Sequence, residues 1–376
     1  MRPLQILPFA FLAASAGAQS SPTEPSAYDK LWARTLLYEG DKGSWLREVR
    51  LLGREQIDWY QFDDGTHTAT GFYNRRTRIG SDVLFGGGLS FRVELDYVAV
   101  AGSLRYNKLT DCYFKQDLTP TCDVLVGKQS TMFTLDSSIS SKQLLTIERS
   151  IIAYNIGVPE DSVPWVCFEL HDGPWQGRAA VFSAGAATPG FGEFDAAAFG
   201  VFSGGYDFGK ELHCRHALLR ADYMLQGQDP QNTTGKPAAF TRDHRQALSV
   251  NFQLEDGAWG LNTELAASEG QGLQSDLKGL CFQPSYSFST EWQGVFRYTR
   301  MTSALNNGLR FTRYESSANT GRGDRYDEFY FGLNRYFYGH KLKWMFGLQH
   351  THMHDAAADG GAYAGWGLSS GFRVYW

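Results

Sequence analysis

Several things this chain lacks bound what it can be. Beyond residue 18 no apolar run reaches the roughly 20 residues that a helix needs to cross a bilayer, which argues against a helical membrane protein. It has no basic surplus: the formal charge is −5, so nucleic-acid binding has no support. Cysteine is scarce and odd in number, at five, and none of it has the paired spacing of a zinc site. Neither a nucleophile elbow nor a zinc-binding helix motif occurs, so no catalytic residue, metal or cofactor is expected. The stretch Gly321-Arg322-Gly323-Asp324 lacks the Lys-Ser/Thr pair of a phosphate-cradling loop.

What is present points to the cell envelope. Residues 1–18 read as a secretory signal, with Arg2 as the positive start, Leu4 to Leu12 as an apolar run too short to span, and Ala16-Gly17-Ala18 as the cleavage site. Removing them takes away one Arg and no acid, moving the charge from −5 to −6. Residues 19–44 form a periplasmic segment: Ser20 to Ala27 is loose, and Leu31, Leu36 and Leu37 permit a short helix within Tyr28 to Tyr38. Residues 45–376 carry a period-two pattern. Leu89, Phe91, Val93, Leu95 and Tyr97 alternate with Ser90, Arg92, Glu94 and Asp96. The same alternation recurs through Leu248, Val250, Phe252 and Leu254, and again at Trp366 to Trp376. Successive strand side chains point to opposite faces, so each stretch has one apolar and one polar face.

A soluble sandwich also alternates; the connections separate the cases. About sixteen strand-like runs are joined alternately by tight links (85–88, 171–174, 255–257, 338–340) and long ones (63–71, 129–163, 226–242, 305–324). Short periplasmic turns and long outer loops on an even number of strands are what an outer-membrane barrel requires. Closure follows, because lipid offers no partner for an open strand edge. The expectation is an all-β fold, a transmembrane antiparallel up-and-down β-barrel of about sixteen strands in the bacterial outer membrane. Its third outer loop, 129–163, folds inward. Two soluble β domains are the weaker alternative.

Side-chain parity then selects residues for the lumen. Val49, Leu51, Ile57 and Trp59 facing lipid put Arg50 and Arg54 inside, and Ile79 and Val83 put Arg76 and Arg78 inside. By the same parity Arg75 falls on the outer face, at the upper rim. Arg92 faces in, along with Glu94 and Asp96; Lys128 shares parity with Val126 and is ambiguous; Lys142 and Arg149 belong to the long loop. Such a set can replace hydration around a small anion such as phosphate, with Arg offering a planar fork of donors and Lys a point charge. The opposing view is that these cations pair with the acids and only solvate the lumen. Cys112 and Cys122 flank a turn and could close a disulfide. His350, His352 and His354 share parity with Trp344, Phe346 and Leu348, which places them on the outer rim rather than at a metal.

Asn74-Arg75-Arg76-Thr77-Arg78-Ile79-Gly80 resembles the Arg-Arg-x-Arg-Leu-Gly run of the phosphate-selective porin O and P family of bacterial outer membranes. Val126-Gly127-Lys128-Gln129 resembles its Val-Gly-Gln-Phe run, with Lys inserted and no Phe following. Ser140-Ser141-Lys142 and Glu148-Arg149-Ser150 resemble the family's most specific pair, and Gly332-Leu333-Asn334 its strand near the C-terminus. The resemblance implies a homotrimer of sixteen-stranded barrels in the lipid bilayer, with a cationic lining that passes anions. The expected function is passive diffusion of small hydrophilic solutes, anion-preferring and phosphate- or polyphosphate-related. The alternatives are a weakly selective general porin and a structural or adhesive barrel with a blocked pore.

Overall fold

The structure is a computed structural model that describes residues 25–100, 102–157, 162–183, 189–192, 198–226, 244–272 and 274–376. The expected signal segment 1–18 lies outside the described residues. Sixteen antiparallel strands form one ring. They are β1 (Leu46–Asp63), β2 (Thr68–Phe85), β3 (Leu89–Val100), β4 (Ser103–Thr119), β5 (Cys122–Ser130), β6 (Ser162–Asp172), β7 (Trp175–Ser183) and β8 (Ala198–Asp207). The second half comprises β9 (His216–Gln226), β10 (His244–Asp256), β11 (Trp259–Gly270), β12 (Leu277–Ser287), β13 (Trp292–Ser303), β14 (Arg325–Tyr336), β15 (Leu342–His354) and β16 (Tyr363–Tyr375). Each strand pairs with the next, and β16 closes on β1 from Trp366↔Asp63 to Tyr375↔Arg54.

The seam is finished by the last residue. Trp376 exchanges both backbone hydrogen bonds with Gly53 of β1, at 3.1 and 3.0 Å. Its indole lies so close to Gly53 that an added Cβ would sit 2.2 Å from the ring. Only glycine leaves room for that ring at the barrel wall. Ahead of β1, helix α1 (Ala27–Ala33) starts with a capping box between Ser26 and Asp29. It docks on the tight-turn end, where the Trp32 indole donates to the Tyr375 carbonyl at 2.6 Å and Tyr28 stacks on Tyr338 with centroids 5.3 Å apart. A short strand, Leu36–Glu39, then pairs with the beginning of β1.

One expectation about the outer connections needs correction. The stretch 63–71 is no long loop: β1 and β2 run 18 residues each and meet across residues 64–67; β3 likewise ends at Val100 and β4 begins at Ser103. A tilted strand needs only about 9–11 residues to span the bilayer, so these hairpins project beyond it into water. Polar residues such as Thr68 and Thr70 then suit either face there, which is why the alternation reads as loop. The turn is held by Asp63, which accepts from the Gly65 amide at 2.7 Å, while Gly65 has φ +84°.

The third outer connection is long, as expected. It contains α2 (Leu135–Ser138) and α3 (Ile151–Asn155). Phe133, Ile151, Ile152 and Ile156 are fully buried in one apolar cluster with Trp165, Phe182, Phe199, Met224, Leu277 and Met301 of β6–β9, β12 and β13. Trp165, Phe182 and Phe199 stack in turn, at 5.3 and 5.0 Å. The inner surface is therefore uneven: the apolar cluster lies on this side, while β1–β4 carry a dense set of charges.

Candidate functional site

The 131–157 segment is gripped by side chains from strands across the ring from β5 and β6. Lys343 of β15 donates to the Leu144 carbonyl at 2.6 Å and Asn334 of β14 to Leu145 at 2.9 Å. Arg297 of β13 donates to Glu148 at 3.0 Å and Arg373 of β16 to Ile147 at 3.3 Å. Arg54 and Gln56 of β1 bind Ser141 at 2.7 and 3.1 Å. Backbone carbonyls in a buried loop need such donors, since leaving one unmatched costs about 1–3 kcal/mol. On the other side the α2 amide of Leu135 donates to Glu264 of β11 at 2.9 Å. Within the loop, Asp136 accepts from the Ser150 amide at 2.6 Å and its carbonyl from Arg149 at 2.8 Å.

Facing this segment, the β2 run bulges. Gln56 pairs with Arg76 and Ile57 with Asn74, so Arg75 is the extra residue. A bulge re-aims side chains that strict alternation would place outside. Arg75 is consequently buried inside against Glu148, at 3.0 and 3.2 Å, which corrects its expected place on the outer rim. Arg76 donates to Gln56 at 2.7 Å and has Arg75, Arg78, Arg149 and Glu148 as charged neighbours. Arg54 bonds Glu94 at 2.8 Å, and Arg78 bridges Glu94 at 3.1 Å and Asp96 at 3.0 Å. Nearer the tight-turn end, Arg92 forks onto Asp82 at 2.6 and 2.5 Å, and Arg50 bonds Glu48 at 2.8 Å. Four of the candidates are thus ion-paired, as the opposing view anticipated.

Two loop groups are electrostatically perturbed. Burial opposes ionisation of Glu148, but Arg75 and Arg313, the latter 3.7 Å away, outweigh it and hold the carboxyl well below the usual range. Lys142 lies 4.9 Å over the Tyr375 ring. Burial, reinforced by Arg54 and opposed by Glu94, pushes its ammonium down to about 7.

Lys128 does not join this set. Its register partner is Cys112, on the face shared by the half-exposed Val126 and Phe114, and it donates to the Gly190 carbonyl of an outer connection. The odd inward parity belongs to Leu125. A disulfide between Cys112 and Cys122 is also ruled out. Cys112 pairs with Lys128 and Cys122 with Thr119, so the two thiols stand about seven strand residues apart, on the order of 20 Å, and all five cysteines are free. Sequence reading missed Arg75, Arg297, Arg313, Lys343 and Arg373. Parity alone finds three of them: Arg297 lies between Phe296 and Tyr298, Lys343 between Leu342 and Trp344, Arg373 between Phe372 and Val374.

A closed sixteen-stranded antiparallel ring with charged side chains in its interior defines the class of outer-membrane β-barrel proteins. Residues 49–376 match the phosphate-selective porin O and P family, and the chain belongs to that family. It lies in the bacterial outer membrane. Among solved structures it is similar to OprB of Pseudomonas putida, at 11% identity and a TM-score of 0.62, covering 87% of this chain and 94% of that one. It is similar as well to an anion-selective porin from Comamonas acidovorans, at 12% identity and a TM-score of 0.59, over 87% and 99% of the two chains. OmpT, an outer membrane protein of Vibrio cholerae, has a TM-score of 0.59 at 13% identity over 91% and 99%, and is described in a trimer form too. At these identities the likeness concerns the fold. No curated protein sequence matches.

Proposed function

We infer that this porin is an anion-preferring diffusion channel, with phosphate-like oxyanions as its solutes. Segment 131–157 is the inward-folded loop that narrows the lumen, and the passage runs between it and the β1–β4 wall. The observation that carries this reading is the bulge that turns Arg75 inward beside Arg76 and Arg78. Around it Arg54, Arg75, Arg76, Arg78, Lys142, Arg149 and Arg313 face Glu94, Asp96, Asp111, Asp136 and Glu148, seven cations to five carboxylates. The pairs Arg92–Asp82, Arg50–Glu48 and Arg373–Asp58 are neutral and leave that surplus unchanged. The acids hold the arginines in place; the excess sets the sign of the field. Arg54, Arg76, Arg78, Lys142 and Arg149 line this route, with Arg50 and Arg92 at its periplasmic mouth. Binding divided among several moderate sites permits release as well as entry. A homotrimer is the assembly that fits a porin of this family.

Purified protein in planar bilayers tests the reading. Under a salt gradient the reversal potential should report anion preference, and inorganic phosphate should reduce the chloride current. Arg76→Ala combined with Arg78→Ala should lower the anion preference. Absence of any conductance, or a cation-preferring potential, would overturn the proposal. Chloride current indifferent to phosphate would leave a general anion porin.

A further inference from the structure

We propose that the lipid-facing surface of β12–β15, at its outward rim, binds the phosphorylated headgroup of a glycolipid in the outer leaflet. The ladder registers set four tiers on this face. The lowest is Phe296, Phe331, Leu348 and Leu368, wholly apolar. Above it run Phe282, Tyr298, Phe329, His350 and Trp366, rings with polar edges. The third tier is Leu280, Arg300, Asp327 and His352, and the topmost is Lys278, Thr302, Arg325 and His354. The inward parity of these strands is fixed by the buried Met301, Tyr326, Glu328 and Met353, so the alternate residues face out. Apolar below, ring-edged in the middle and cationic on top is the profile of a surface crossing from acyl chains into headgroups.

The cations are spaced for a headgroup. Strands lie about 4.8 Å apart and tiers about 7 Å apart, so Lys278 and Arg325 stand roughly 10 Å from each other with Arg300 between and one tier lower. Lys278 is exposed, as is half of the Arg300 side chain. One acid lies within these tiers: Asp327, 3.6 Å from Arg300 and also accepting from the Tyr298 hydroxyl at 2.8 Å; Asp276, just above Lys278, accepts from the Gly270 amide at 2.9 Å. Asp324, below the outer loop, is occupied by His354 at 2.8 Å. Among the described residues no carboxylate lies within ion-pair reach of Lys278 or Arg325. The three outward histidines thus belong to this face, with His352 beside Asp327, one strand beyond the cations, and His350 packed on Trp366 at 4.9 Å. A soluble anion would use the cations alone. A lipid anion also uses the apolar tiers beneath, which run without a break. A second copy related by a two-fold axis would set these like charges against each other.

The full-length protein, purified in detergent, is titrated with a bisphosphorylated lipid A and with its dephosphorylated form, and bound lipid is read by native mass spectrometry. The wild type should retain the bisphosphorylated lipid preferentially. Lys278→Gln with Arg325→Gln should weaken that retention roughly 30-fold, as loss of two headgroup-facing cations implies, while Arg47→Gln at the periplasmic end should not. Equal retention of both lipids by the wild type, which needs no variant, would overturn the proposal. So would unchanged retention by the double variant, or a change in its oligomeric mass with lipid binding unaltered, which would make this face a contact between copies.

Discussion

The lowered pKa of Lys142 makes anion preference pH-dependent in a defined direction. A lysine whose pKa falls to about 7 is charged below that value and loses its charge as the pH rises through it. Between pH 6 and pH 8 its protonated fraction should drop from about nine-tenths to about one-tenth, and the passage would lose one of its seven facing cations. The worth of that charge follows from Coulomb's law. For an ion passing at about 6 Å in a wet lumen of effective dielectric ~40–80, it is about 0.7–1.4 kcal/mol. That corresponds to a roughly three- to tenfold fall in anion permeability, with an opposite change for cations, on the order given by 1.4 kcal/mol per tenfold. Reversal potentials under a fixed salt gradient at pH 6, 7, 8 and 9 measure it. Lys142→Gln should flatten the profile at the level the wild type reaches at high pH. His340 does not confuse the result, because burial and Lys343 hold its imidazole well below its ordinary value, so it stays neutral throughout. A wild-type profile that is flat across this range, or a variant that keeps the slope, would refute the assignment of Lys142 to the route.

Other perturbations follow from the same geometry. Lys343→Met leaves the Leu144 carbonyl without its donor, at a cost of about 1–3 kcal/mol; the loop should loosen and single-channel conductance rise, and an unaltered conductance would tell against the latch. Glu148→Gln strips the buried Arg75 of its counter-charge, a loss of about 3–5 kcal/mol, so heat stability on gels should fall while anion preference increases; a cation shift would contradict the charge balance. Gly53→Val should drive the Trp376 ring off the wall and lower the temperature at which the barrel opens, whereas Gly71→Val, in the projecting hairpin, should do so far less. Mass spectrometry without reduction should find Cys112 and Cys122 as two thiols; a bridged peptide would disprove the register.

The barrel was legible because lipid enforces it: an apolar outer face at every second residue and a link that alternates in length leave few other folds. Where lipid does not reach, the pattern failed. Thr68 to Gly71 stand in water on both faces, so strand looked like loop. Arg75 was misplaced because parity assumes an unbroken ladder, and nothing in Asn74-Arg75-Arg76 announces the bulge. Trp165 and Phe182 point inward among apolar neighbours that point outward, and period two cannot distinguish a dry lumen wall from a lipid-facing one. Lys128 shows the reverse case, a cation on the outer face beneath a loop. Among the luminal cations, the sequence named Arg54, Arg76 and Arg78 but not their partners, since Glu94 and Glu148 reach them through strand order and loop return rather than through spacing.

The apolar cluster built on Trp165, Phe182 and Phe199 lies behind segment 131–157, buried between it and the far wall, so no ion on the proposed route meets it. It backs the charged face of the loop with a medium that polarises poorly. Low-dielectric walls concentrate the field of nearby charges, so the pull of Arg149 and of the arginines opposite it is directed into the route rather than lost behind the loop. Trimming the cluster should move the loop and alter throughput with little effect on which ions pass.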